Sequence, residues 1–121
     1  MPHDPSSALS ALREATSLYR AVCEITRDQE DALRSSDLGR LTELLSRKAA
    51  LVAEAQELVA SARGRIPAGG TDEPLAAALA GLKAVLRELV EAEERCRELL
   101  PSPPAAPRAV ALGAYGAKPR R

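Results

Sequence analysis

The sequence contains no phenylalanine and no tryptophan, and its aromatic residues are Tyr19 and Tyr115. Sheets draw on aromatic and β-branched side chains, so a core made almost wholly of Leu, Val and Ala argues against most β architectures and favours packed helices. An excess of either charge is lacking as well: 17 basic and 17 acidic residues give a formal net charge of +0. Phosphate backbones are held by concentrated basic patches, so this balance points away from nucleic acid as the main partner. No apolar run approaches the ~20 residues that span a bilayer, which argues against stable membrane insertion. The opening MPHDPSS is polar rather than the apolar core of a secretory signal. The expected location is therefore the cytosol.

Parts for catalysis are scarce too. The single histidine, His3, lies in the terminal segment, which removes Ser-His-Asp and Cys-His arrangements and the Glu-x-x-His ligands of di-iron bundles. Cys23 and Cys96 lack CxxC spacing and read as buried or half-buried thiols of a cytosolic protein. The carboxylates Glu91, Glu93, Glu94 and Glu98 are interleaved with Arg95 and Arg97, the pattern of a solvated helix face. Gly69-Gly70 lacks the Lys-Ser/Thr of a phosphate loop. The chain is expected to be neither an enzyme nor a holder of a metal or cofactor.

What the sequence does have is apolar periodicity. Within Asp37 to Ala62, Leu38, Leu41, Leu45, Val52, Ala55 and Val59 fall on one seam that Lys48 interrupts, and Leu44, Leu51 and Leu58 form a second stripe beside it. An arc that wide needs neighbours on more than one side. This stretch is expected to be the rigid arm around which the chain is organised, and Leu45 is placed in its central seam.

Before it, a helix over about 6–35 presents Ala8, Leu12, Ala15, Tyr19, Val22, Ile25, Gln29 and Leu33 at a period near 3.6. Asp37 is the expected N-cap of a second helix over 37–63, and so short a connection allows an antiparallel hairpin. Gly64 is placed for a left-handed C-terminal cap. Thr71, Asp72, Glu73 and Pro74 then open a third helix over 72–100, with Leu75, Leu79, Leu82, Leu86, Leu89, Glu93, Cys96 and Leu100 in step. Glu93 breaks that seam. Gly81 and the alanines at 76, 77, 78 and 80 give its first half little volume, read either as room for close packing or as a weakly docked helix.

The fold class is accordingly all-α, an antiparallel helical hairpin or three-helix bundle with coiled-coil character over 1–100. Residues 101–121 are expected to be a disordered, Pro-rich basic tail, in which five prolines and four basic residues surround Val110, Leu112 and Tyr115. Apolar anchors in such a setting suggest a motif that orders on contact.

The order of these features resembles the flagellar export chaperones of the FlgN type. The matching residues are Glu30 to Leu33, then Ser36-Asp37-Leu38, Leu41, Leu44-Leu45, Lys48 and Leu51-Val52, then Leu82 to Leu100, and finally Tyr115-Gly116. The resemblance implies a cytosolic chaperone that holds the C-terminal amphipathic helices of hook-filament junction proteins and delivers them to the cytoplasmic domain of the export gate. Carried onto this chain, it implies client binding by Leu82, Leu86, Leu89, Val90 and Leu99 and a gate contact by Tyr115. Holding a helix needs no cofactor, and a compact or weakly homodimeric species fits such a chaperone. The competing expectation, from the same stripes, is a self-associating coiled-coil adaptor without chaperone activity.

Overall fold

The computed structural model describes residues 5–66 and 72–100, which form three α-helices: α1 (Pro5–Arg34), α2 (Leu38–Arg63) and α3 (Glu73–Glu98). The all-α bundle read from the sequence is the observed fold class, and the described residues contain no strand. The tail at 101–121, with Tyr115, lies outside the described residues.

α2 runs antiparallel to α1, since Arg40 reaches Asp28, Lys48 reaches Gln29 and Arg65 reaches Ser7. α3 runs parallel to α1: Cys23 faces Val85, Thr26 faces Cys96 and Glu30 faces Arg95. Both α2 and α3 pack on α1, while among the described residues no Cα of α2 comes within 8 Å of one in α3. The element that organises the chain is therefore α1 rather than the expected Asp37–Ala62. Its buried residues include Ala8, Ala11, Leu12, Ala15, Tyr19, Val22, Cys23, Ile25, Thr26 and Ala32. At 100° per residue these cover more than one stripe, which is why α1 can serve two neighbours.

The hairpin turn closes through backbone hydrogen bonds. Ser36 adopts φ 57°, and the amides of Ser36 and Asp37 donate to the carbonyls of Leu33 (3.2 Å) and Ala32 (2.9 Å). This is a Schellman closure with serine at a left-handed position where glycine is usual. Asp37 then caps α2, its Oδ1 accepting from the Arg40 amide at 3.1 Å. Asp72 does the same for α3 through the Leu75 amide, and Pro74 occupies the first turn, where no helical donor is lost.

Gly64 departs from expectation: it sits at φ −71°, ψ −12°, and α2 ends by a tightened turn in which the Arg65 amide donates to the Ala62 carbonyl. The chain needs no left-handed residue there. Gly81 is also not a close-packing device, because a Cβ built on it would meet nothing within 4 Å. It lies beside Ala78 over a shallow groove against Arg13, Thr16, Ser17 and Arg20 of α1.

The core is divided along the bundle. A larger cluster joins Leu12, Tyr19 and Cys23 of α1 to Ala55 and Ala62 of α2 and to Leu75, Leu82 and Val85 of α3. A smaller one, at the hairpin end, joins Ile25 and Ala32 to Leu44, flanked by Leu41 and Leu51. Thr16 and Thr26, buried on α1, satisfy their hydroxyls by donating to the carbonyls of Leu12 and Val22, each at 2.8 Å.

Candidate functional site

The helical period decides what α2 and α3 show each other. α2 turns Leu44, Ala55 and Ala62 into the core, whereas Leu45, expected in the central seam, is 43% exposed and Leu38 is 70% exposed. The cause is geometric. Leu38, Leu45, Val52 and Val59 are spaced by sevens, and on a straight helix such a row drifts by about 20° per heptad. It therefore faces solvent at Leu38 and turns inward toward Val59, with Val52 and Val59 half-buried, and Ile66, beyond the end of α2, is half-buried as well. On α3, Leu75, Leu82, Val85, Ala92 and Cys96 are buried, and Leu79 and Leu86 stand on the flank turned to α2.

Because the two helices lean on α1 with their backbones held apart, these flanks form the walls of a groove. At the end away from the hairpin it is a cleft of about 210 Å³, with Leu12 of α1 as floor, Val59 and Ile66 on one wall and Leu79, Leu82 and Leu86 on the other. Arg63 and Lys83 frame it. At the hairpin end a second apolar opening of about 410 Å³ is lined by Leu33, Leu38, Leu41, Leu99 and Leu100.

Between the two openings the walls are tied by a polar bridge. Lys48 of α2 donates to Oε1 of Gln29 of α1 at 3.0 Å and forms an ion pair with Glu93 of α3. The Lys48 side chain is largely buried and Gln29 is buried, while Glu93 is half-exposed. Lys48 and Glu93 are the two residues that interrupt the apolar seams of α2 and α3, and Gln29 is the polar member of the α1 stripe. The three interruptions thus satisfy one another at one level of the bundle, as a buried amine requires.

The polar level extends along the α1–α3 interface. Cys96 Sγ donates to the Thr26 carbonyl at 3.5 Å and Cys23 Sγ to the Val85 carbonyl at 3.7 Å. Burial, reinforced by Glu93 for Cys96 and by Glu88 for Cys23, pushes both thiols above their ordinary range, which favours the protonated form. Both are free. Nearby, hydrogen bonds from Arg34 (2.8 Å) and Arg95 (3.3 Å) hold the Glu30 carboxyl below the usual carboxylate range. No group of three or more His, Cys, Asp or Glu among the described residues could hold a metal ion, and none of the described helices is long and apolar enough to cross a membrane.

The structure distributes the client residues implied by the sequence. Leu82 is 6% exposed and belongs to the core, with one side on the groove floor. Leu86 lines the groove wall, and Leu89 packs half-buried against the larger core. Val90, four residues beyond Leu86, is 61% exposed. Leu99 belongs to the other opening, at the hairpin end. Tyr115 lies outside the described residues. The sequence reading missed the α2 wall: Leu45, Val52 and Val59 were assigned to the buried seam, although their spacing by sevens, combined with the separate stripe Leu44, Leu51 and Leu58, already signalled two faces. Comparison of the chain with protein-family models, curated proteins and solved structures finds no match.

Proposed function

We propose that the chain is a helix-holding chaperone of the flagellar export type, whose α2–α3 groove receives the C-terminal amphipathic helix of a hook-filament junction protein for delivery to the export gate. The observation that carries the helix-holding part is the gap itself: two 26-residue helices lie on a common third with no Cα of one within 8 Å of the other, and apart from the Lys48–Glu93 ion pair that crosses between them their facing flanks are apolar. An amphipathic helix laid into that gap would contact Leu45, Val52 and Val59 on one side and Leu79, Leu86 and Val90 on the other, completing a four-helix arrangement. The flagellar part rests on the sequence resemblance.

The energetics suit reversible holding. Each Leu or Val buried by an incoming helix gains about 1.5–3 kcal/mol before ordering costs, and most of the groove residues are already half-buried, so the net gain per anchor is smaller. No chemical step is involved. A client is released when another surface competes for its apolar stripe.

The test is calorimetric titration of the chain with the C-terminal helical segment of a hook-filament junction protein. The expected result is 1:1 binding that weakens roughly tenfold or more for Val90→Asp, a substitution at an exposed position that leaves the fold intact. Absence of binding by the wild-type chain, or unchanged binding by the variant, contradicts the proposal.

A further inference from the structure

We infer that a helix held in the α2–α3 groove is selected by a carboxamide, from glutamine or asparagine, at one place in its apolar stripe: the level of the Lys48–Glu93 ion pair. The inference rests on the helix-holding reading proposed above and names the chemistry the groove requires of its occupant.

The groove is apolar at both ends and ionic between them, and its two walls give the same spacing. On α3, Glu93 lies eleven residues after Leu82 of the cleft away from the hairpin and seven before Leu100 of the hairpin-end opening. On α2, Lys48 lies eleven residues before Val59 of that cleft and seven after Leu41 of the opening. At 1.5 Å per residue the ion pair stands about 16 Å from one apolar site and about 10 Å from the other. Steps of eleven and seven are close to three and two whole helical turns. An incoming helix that fills both apolar sites therefore turns the same stripe down onto the ion pair.

The unused bonding capacity of the pair sets what that stripe must bring. The Glu93 side chain is 36% exposed, against 12% for Lys48. Oε2 of Glu93 faces Lys48, which is its one ionic partner among the described residues, and Arg97, one turn along α3, is taken by Glu94 at 2.7 Å. Lys48 serves Gln29 and Glu93, whereas an ammonium group has three protons to donate. A helix laid over the pair shuts Glu93 off from water, and a carboxylate oxygen covered without a donor is costly.

A carboxamide answers both needs at once. Its N–H donates to Oε1 of Glu93, and its carbonyl accepts the third proton of Lys48. Gln29 already supplies such a carbonyl from the α1 side. A leucine at that level covers the pair and satisfies neither member. An acidic residue repels Glu93, and a basic one sets two cations side by side in competition for one carboxylate. The ends of the groove thus read apolar volume, and the bridge reads the position of a single amide within it.

Calorimetric titration of the full chain with three synthetic amphipathic helices tests the inference. Each has about 22 residues, enough to span both apolar sites. They are identical except at one stripe position, eleven residues from one leucine anchor and seven from the next, which carries Gln, Leu or Glu. The Gln peptide is expected to bind the wild type roughly tenfold or more tighter than the other two. In the paired variant Lys48→Met with Glu93→Leu, its helicity checked by circular dichroism, the Leu peptide is expected to bind tightest. Equal binding of the three peptides to the wild type overturns the inference and leaves the helix-holding reading in place. Binding of none of them overturns both. A Gln preference that persists in the paired variant also overturns the inference, because the amide is then recognised elsewhere. The first comparison uses the wild type alone, so it decides whatever the substitutions do to the fold.

Discussion

α2 and α3 have the same length and rest on the same helix, yet they invest their residues differently. α3 buries Leu75, Leu82 and Val85 together with Ala92 and Cys96, and keeps ionic side chains on its rim. α2 buries one leucine, Leu44, with Ala55 and Ala62, and leaves Leu38 and Leu45 in solvent. α3 is therefore anchored by side-chain volume. α2 is seated by alanines that bring it close to α1, and its larger residues are held back for other contacts. The helix with the more regular apolar spacing is not the one that contributes most to the core, because regularity here reflects two stripes serving two surfaces.

The largest test of this contrast is at Leu82. Leu82→Ala removes a buried side chain from the junction of all three helices and is expected to cost about 2–5 kcal/mol in chemical denaturation. A loss below 1 kcal/mol would mean that α3 is not anchored as described.

The polar bridge comes next. Glu93→Ala leaves the largely buried Lys48 amine with Gln29 alone and is expected to cost about 1–3 kcal/mol. The paired replacement Lys48→Met with Glu93→Leu is expected to return to within about 1 kcal/mol of the wild type, since apolar side chains of similar size relieve the desolvation cost. Equal losses in the single and the paired variants would show that the bridge, rather than the unpaired amine, sets the stability.

Smallest is Leu45→Asp. At 43% exposure the substitution is expected to shift stability by no more than about 0.5–1 kcal/mol, a small fraction of the effect at Leu82. A collapse of the melting transition would return Leu45 to the buried seam and erase the difference between the two helices.

The legible part of the fold was what local chemistry dictates. Asp37 and Asp72 announce the helix starts because an acceptor side chain followed by an apolar period has few other uses, and the inward stripe of α1 follows directly from its 3.6 period. Which helix stands in the middle was not legible. Lateral order depends on how far each apolar arc wraps the helix, and Cys23 and Ala32 widen the α1 arc without advertising themselves as core. The direction of the α2 stripes was likewise hidden, because Leu44 and Leu45 are neighbours of one type and only the partner helix decides which turns in. Lys48, Glu93 and Gln29 were each visible as a break in a pattern. Their meeting required the register of all three helices.

The account stands on the gap between α2 and α3 as the working surface. Amide hydrogen exchange of the full chain, with and without the C-terminal helical segment of a hook-filament junction protein, tests it most directly. The account expects bound segment to slow exchange along Leu45–Val59 and Leu79–Val90 together, with the outer face of α1 unchanged. Protection confined to α1, or spread evenly over the bundle, would contradict it.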